Sequence, residues 1–190
     1  TMRIAAVYLS HFIYLAEVRR RPDLKGVALI VGDGEPPDRV LDCAPQLAES
    51  GVFRSTRARQ AQSRAPDALW LAPDYPYYSD TWEQALDRMW QISPEVEDGG
   101  LGECCVNIEG LQPHYGGSER AIGQAIVDLM SDGLSAPSVG IANGKYPARA
   151  AAITGLEEVT VIAPGDEAAY LSDLGVEVLP FGPGLIDRLR

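Results

Sequence analysis

The sequence is poor in the residues that build metal-bound or disulfide-bonded folds, with only three cysteines and two histidines. No C-x-x-C pair occurs, and Cys104 and Cys105 are adjacent, so their side chains would point to opposite faces of a strand. The sequence therefore disfavours both a structural zinc site and a disulfide framework. Unpaired cysteines are typical of a reducing compartment, and we expect a cytoplasmic protein.

Long apolar runs and an excess of basic charge are also missing. The longest apolar stretches, such as residues 27–31, are far too short to cross a bilayer, and the N-terminal residues do not form a signal-type segment, so no membrane partner is expected. Sixteen Lys and Arg residues stand against 27 Asp and Glu residues, giving a net charge of −11. Because neutralising phosphates supplies much of the affinity of a nucleic-acid binder, we expect the chain to bind DNA only weakly by itself.

What the sequence does contain is an alternation of short apolar strands and amphipathic helices. Two stretches show the order strand, helix, strand: residues 3–9, 11–20 and 27–31, and residues 102–108, 118–130 and 138–142. Ser10 and Ser118 are the expected N-caps of the two helices, and residues 98–100 predict a hairpin turn. Two such units predict an α+β protein with a ferredoxin-like, split βαβ sheet that carries helices on one face.

Four segments resemble, in order and spacing, the motifs of the Y-family (UmuC/DinB-like) translesion DNA polymerases. They are residues 6–12 with the P-x-L-x-G step at 22–26, residues 44–61, residues 100–108 and residues 138–151. The last is the most specific, since it resembles S-x-G-I-[AS]-x-[NS]-K-x-x-A-[KR]-x-A. The resemblance implies a palm in two parts (residues 1–32 and 75–178), a small helical fingers subdomain (33–74) and the start of a thumb (179–190).

The resemblance also implies where the catalytic acids of the family would stand: at Tyr8, Gly102 and Glu103. Polymerases of this kind use two metal ions, and hard divalent cations need carboxylate oxygens. Glu103 is the only surviving candidate, and one carboxylate cannot hold two cations, so we expect a pseudoenzyme with no metal or other cofactor. Asp42 and Asp98 are the acids that would have to rebuild the site if the chain were active with Mg²⁺.

Nucleotide and DNA contacts can be placed by the same resemblance. Pro45 and Ala48 stand where the family has a Tyr and an Arg that grip the triphosphate, and Ile13 stands where it has an aromatic residue that excludes ribose. Arg149 keeps the position of a phosphate-binding Lys or Arg. The possible DNA contacts are Arg54, Arg57, Arg59 and Lys145, although exposed basic residues on a polar helix are equally typical of a solvated face.

Within the family, the resemblance is to the catalytically inactive ImuB-like subgroup, the polymerase-like subunits of the bacterial mutasome. It implies an adaptor or DNA-docking scaffold in DNA repair and translesion synthesis. Its partners would be weakly bound DNA, a replicative-type polymerase, the sliding clamp and an accessory subunit. Two alternatives stay open: an active nucleotidyltransferase with a rebuilt metal site, and a protein-interaction module without DNA contact.

Overall fold

The computed structural model describes residues 2–33, 38–131, 137–175 and 178 of the chain. Its contacts separate two units: a first unit, Thr1–Ser10 with Glu83–Arg190, and a second unit, His11–Trp82. The palm and fingers boundaries at residues 32 and 74 stay a prediction, and the thumb predicted at 179–190 lies outside the described residues. No helix in the described ranges is both long and apolar enough to cross a bilayer.

The helices and strands are short and follow one another closely. The strands are β1 (Arg3–Tyr8), β2 (Leu29–Val31), β3 (Asp42–Cys43), β4 (Leu69–Leu71), β5 (Val96–Asp98), β6 (Glu103–Asn107), β7 (Ser138–Asn143) and β8 (Val159–Val161). The α-helices are α1 (Phe12–Arg20), α2 (Ala58–Arg64), α3 (Tyr75–Met89), α4 (Glu119–Met130), α5 (Lys145–Thr154) and α6 (Glu167–Ser172). Among the residues that the structure describes, 3-10 segments lie at Pro22–Leu24, Pro45–Ser50 and Gln112–Tyr115.

The first unit is built on a five-stranded sheet with the order β5-β6-β1-β7-β8. The central strand β1 is antiparallel to both β6 and β7, β5 and β6 form the predicted hairpin, and β8 extends the edge parallel to β7. Strands β5, β6, β1 and β7 have the ferredoxin-like order, which confirms the predicted fold class. Ser118 caps α4 as predicted, since its Oγ accepts a hydrogen bond from the Ala121 N–H at 3.3 Å.

Helices cover both faces of this sheet, whereas the sequence predicted helices on one face. A Cβ at Gly140 of β7 would lie 2.1 Å from the Ala148 carbonyl oxygen, so α5 packs directly on that face. A Cβ at Gly123 of α4 would lie 3.4 Å from Cδ1 of Ile141. Because consecutive strand residues point to opposite faces, α4 and α5 lie on opposite sides of the sheet. The close approach at Gly140 places α5 over the face of the sheet that carries Tyr8 and Glu103.

The second unit contains a separate three-stranded sheet with the order β3-β2-β4. Strand β2 is antiparallel to β3 and parallel to β4, and its three residues are completely buried. The prediction that residues 3–9, 11–20 and 27–31 form one βαβ unit is therefore wrong, because β1 and β2 belong to different sheets. An apolar run predicts a buried strand, but it does not specify the strand with which it pairs.

Helix α1 is capped from another strand rather than by its own preceding residue, so the prediction of Ser10 as N-cap is also wrong. His11 occupies the N-cap position in the left-handed region (φ 56°) without a side-chain cap. Instead, Oδ2 of the buried Asp42 accepts the Tyr14 N–H at 3.0 Å. The His11 ring lies 3.3 Å from the same carboxylate, and the hydrogen bond with Asp42 raises the pKa of His11.

A fully buried carboxylate, Glu17, ties α1 to α3 within the second unit. Glu17 accepts hydrogen bonds from the Tyr78 hydroxyl at 2.6 Å, from Arg20 Nη2 at 2.6 Å and from Arg21 Nη2 at 2.5 Å. Burial alone would raise the pKa of Glu17, but these donors outweigh it and lower that pKa. Burial and the bond to Glu17 raise the pKa of Tyr78, so the hydroxyl stays a donor.

Candidate functional site

One face of the first-unit sheet, the face under α5, carries Tyr8 and Glu103, two of the positions that the sequence resemblance assigned to catalytic acids. Tyr8 pairs with Glu103, and Ala6 pairs with Cys105, in the antiparallel register of β1 and β6. Cys105 also pairs with Glu97 of β5. Because register partners project to the same side of a sheet, and residues two apart on a strand do so as well, all five side chains share this face.

Two ion pairs connect this face to helix α5. Arg149 binds Glu103 with two hydrogen bonds, from Nε to Oε2 at 2.7 Å and from Nη2 to Oε1 at 3.1 Å. Lys145 pairs with Glu97, and this contact raises the pKa of Lys145. Lys145 and Arg149 are four residues apart and therefore lie on the same side of the helix. Nη1 of Arg149 also donates to the Val178 carbonyl oxygen at 3.2 Å.

A cavity of about 290 Å³ lies beside these ion pairs. Its mostly apolar wall includes Ala6, Tyr8, Cys105, Tyr146 and Ala152. Burial raises the pKa of the Cys105 thiol to about 11, so this sulfur is a neutral group at physiological pH and not a thiolate ligand. The cavity therefore combines an apolar interior with charges that are already paired with one another.

The donor set on this face does not fit the two divalent cations that the sequence resemblance would require. Glu103 is held bidentately by Arg149, Tyr8 is a phenol, and Gly102 has no side chain. Gly102 has φ +86°, a conformation that an aspartate would adopt only under strain. Within the described ranges, His, Cys, Asp and Glu side chains nowhere gather in threes as a metal-binding group.

The two acids proposed to rebuild such a site have other contacts. The Asp98 carboxylate accepts the Gly100 N–H at 2.9 Å in the hairpin turn. Asp42 belongs to the second unit, where it accepts the N–H groups of Tyr14 and Cys43 at 3.0 and 2.8 Å. Neither residue is brought into the cavity wall beside Glu103.

The remaining predicted positions lie in the second unit. Ile13 is buried in α1, whereas Pro45 and Ala48 are exposed on the 3-10 segment Pro45–Ser50. The predicted basic DNA contacts of this unit, Arg54, Arg57 and Arg59, are all exposed. The fourth, Lys145, is in the first unit and in its ion pair with Glu97. Whether any of these residues contacts DNA or a nucleotide stays a prediction.

The sequence reasoning missed Glu97 and Tyr146, which complete the candidate site. Glu97 could have been found from the hairpin register, which sets it beside Cys105 on the same face as Glu103. Tyr146 follows Lys145 at the start of α5, and the sequence carries no signal that turns its ring toward the cavity. Its position depends on how closely α5 packs against β7.

Comparison with known proteins identifies the family. The sequence profile of the impB/mucB/samB family matches residues 7–152, more than half of the chain. DNA polymerase IV of Streptomyces coelicolor is 31% identical over 186 residues, a match that covers 96% of this chain and 39% of that protein. The fold resembles the crystal structure of DinB from Sulfolobus solfataricus, with a TM-score of 0.77 at 19% identity, covering 99% of this chain and 56% of that one. It also resembles an insertion ternary complex of Dbh DNA polymerase, with a TM-score of 0.80 at 19% identity, covering 99% and 57% of the two chains.

The chain spans only about half of the length of these proteins, or less. The match extends over the palm and fingers region. The family profile covers the whole second unit and part of the first, including Tyr8, Glu103 and Arg149. The chain therefore belongs to the impB/mucB/samB family, the Y-family (DinB/UmuC-like) DNA polymerases.

Proposed function

We propose that this chain is a non-catalytic Y-family member that resembles the ImuB-like subgroup. The observation that carries the proposal is the bidentate bond between Arg149 and Glu103. Phosphoryl transfer to a primer end by two metal ions needs several carboxylates that are open to the cations. Here the one remaining carboxylate is neutralised by a guanidinium, and its neighbour across the sheet is Tyr8.

The role that follows is an adaptor or DNA-docking scaffold in DNA repair and translesion synthesis. Its proposed partners are a replicative-type polymerase, the sliding clamp and an accessory subunit, with DNA bound weakly. The family membership and the resemblance to DNA polymerase IV support a place in damage bypass. No Mg²⁺ requirement is expected in this role.

The distribution of charge indicates which unit would contact DNA. In the sequence, the second unit has nine Lys and Arg against ten Asp and Glu, a net charge of −1. The first unit has seven against 17, a net charge of −10. Because DNA binding depends on neutralising phosphates, the exposed Arg54, Arg57 and Arg59 of the second unit are the better candidates.

Primer extension tests the loss of catalysis. The chain is incubated with primer-template, all four dNTPs and either Mg²⁺ or Mn²⁺, alongside Streptomyces coelicolor DNA polymerase IV as a positive control. We expect no extension by the chain under either metal. Template-directed extension that Glu103→Ala abolishes would refute the proposal.

A DNA-binding titration tests the docking role. Fluorescence anisotropy with labelled primer-template is measured from low to physiological salt, because electrostatic affinity is strongest at low ionic strength. We expect weak binding that a combined Arg54→Ala, Arg57→Ala and Arg59→Ala variant loses. Absence of binding even at low salt would favour a protein-interaction module without DNA contact.

An active nucleotidyltransferase is the second candidate, and the 31% identity to a DNA polymerase IV favours it. Glu103 would then have to leave Arg149 and join acids recruited from elsewhere. Crystals soaked with Mg²⁺ and a dNTP separate the two proposals. Two ordered cations beside Glu103 would establish the active site, whereas an unchanged Glu103–Arg149 pair supports the non-catalytic role.

A further inference from the structure

The cavity under α5 has lost the features of a site for charged ligands, and we infer that it binds an uncharged small molecule of one or two fused rings. The inference rests on the proposed function, because it requires that the two ion pairs beside the cavity stay formed. The uncharged molecule would bind in place of a metal-bound triphosphate.

The charges beside the cavity cancel one another. Glu103 is bonded to Arg149, and Glu97 is bonded to Lys145, so two acids and two bases leave no net charge. An anionic ligand would have to take a base from its acid, and a cation would have to take an acid from its base. An uncharged ligand can enter without breaking either pair.

The wall of the cavity suits a flat apolar ring. Its lining includes two aromatic residues, Tyr8 and Tyr146, and two small residues, Ala6 and Ala152. The Cys105 thiol is neutral and polarizable, a favourable contact for an aromatic ring. Small-molecule sites have this composition, with an apolar and aromatic lining and a few polar groups at the edge.

The size of the cavity sets the size of the ligand. An apolar cavity of about 150 Å³ is enough to hold benzene. The cavity here is about 290 Å³, which leaves room for a bicyclic compound such as indole. It lies near the lower limit of about 300 Å³ for small-molecule sites, which favours a ligand of one or two rings.

Titration of the ¹⁵N-labelled 190-residue chain with indole, without divalent metal, tests the inference. We expect saturable shifts at the amides of Ala6, Cys105 and Tyr146, with a dissociation constant of about 1 mM or tighter. Cys105→Phe fills the cavity and should weaken indole binding by at least about tenfold. The matched control is Tyr75→Ala, which removes an exposed tyrosine of the second unit and should leave indole binding unchanged.

A second variant protects the test against a folding defect in Cys105→Phe. Tyr146→Ala removes one aromatic wall instead of filling the space, and it should also weaken binding. A cooperative thermal unfolding transition shows which of the two variants is folded, and only a folded variant is titrated with indole.

Three outcomes would overturn the inference, and they differ in what they mean for the proposed function. Lack of saturable shifts, or unchanged indole binding by both folded variants, refutes the ligand class and leaves the non-catalytic role intact. Displacement of indole by Mg²⁺ with dATP, with shifts at Glu103, would show that the cavity takes a metal-bound triphosphate, which refutes the non-catalytic role and, with it, the inference that rests on that role. If the chain self-associates and indole reverses the association, the occupant of the cavity would be a side chain of a second copy and not a small molecule.

Discussion

The bond between Glu103 and Arg149 should be measurable as a coupling free energy. Hydrogen bonds to charged groups contribute about 1.5–3 kcal/mol when desolvated, whereas exposed ion pairs contribute about 0.2–1 kcal/mol. The two side chains are 21% and 29% exposed, which places the pair between these limits. The geometry is bidentate, so we expect a coupling of about 1.5 kcal/mol.

A double-mutant cycle isolates this value. The unfolding free energies of the wild type, Glu103→Ala, Arg149→Ala and the double variant are measured by urea denaturation followed by circular dichroism. The bond from Arg149 to the Val178 carbonyl cancels, because it is missing from both variants that lack the arginine. The matched control is the more exposed pair Glu97–Lys145, which should couple more weakly.

The sign and size of the coupling decide the central argument. A coupling below about 0.3 kcal/mol, no larger than the error of such cycles, would mean that the pair adds no net stability. Arg149 would then hold Glu103 too weakly to keep it from a competing cation, and the proposal of a non-catalytic site would lose its structural support. Raising NaCl to 1 M should reduce the coupling, because salt screens partly exposed charges.

Three further predictions concern the scaffold. Protonated His11 is stabilised by its hydrogen bond to Asp42, so its contribution to stability is full below the ordinary pKa of 6.5 and is lost as the pH rises through the raised pKa. NMR titration of His11 and urea midpoints at acidic and alkaline pH check this. Asp42→Asn should reduce the difference between the two urea midpoints. Gly140→Ala should lower the unfolding free energy by about 3 kcal/mol or more, because the new methyl group meets the backbone of α5; thermal unfolding measures it, and a neutral effect would contradict the close approach. Glu17→Ala should cost about 3 kcal/mol, because it removes the acceptor of the buried Tyr78 hydroxyl and of Arg21 and leaves Arg20 with Asp74; an unchanged urea midpoint would contradict the buried network.

Local patterns in the sequence were sufficient for the hairpin turn before β6 and the capping of α4 by Ser118, because each depends on residues close together in the chain. The ferredoxin-like fold was predicted from the succession of strands and helices, whereas the pairing of β1 with β6 and β7 joins residues far apart in the chain. The family was predictable as well, since it depends on the order and spacing of motifs. The same motifs predict that Tyr8 and Gly102 stand where the family has catalytic acids, and this assignment stays a prediction.

Partnerships between distant segments needed the tertiary structure. Residues 27–31 read as a buried strand in either sheet, and only their pairing with β3 and β4 assigned them to the second unit. Asp42 capping α1 is another contact that no local pattern announces, because the acceptor lies 28 residues from its donor.

The sequence by itself determined the family and predicted that Glu103 is the one acid at the positions where the resemblance places several. Only the tertiary structure decided what that acid does. A helix that approaches the sheet closely enough at Gly140 brings Arg149 within 2.7 Å of Glu103, across 46 residues of chain. Hydrogen bonds and ion pairs act over a few ångströms of space and not over sequence separation, so the pairing of Glu103 with Arg149 could be seen only in the folded molecule.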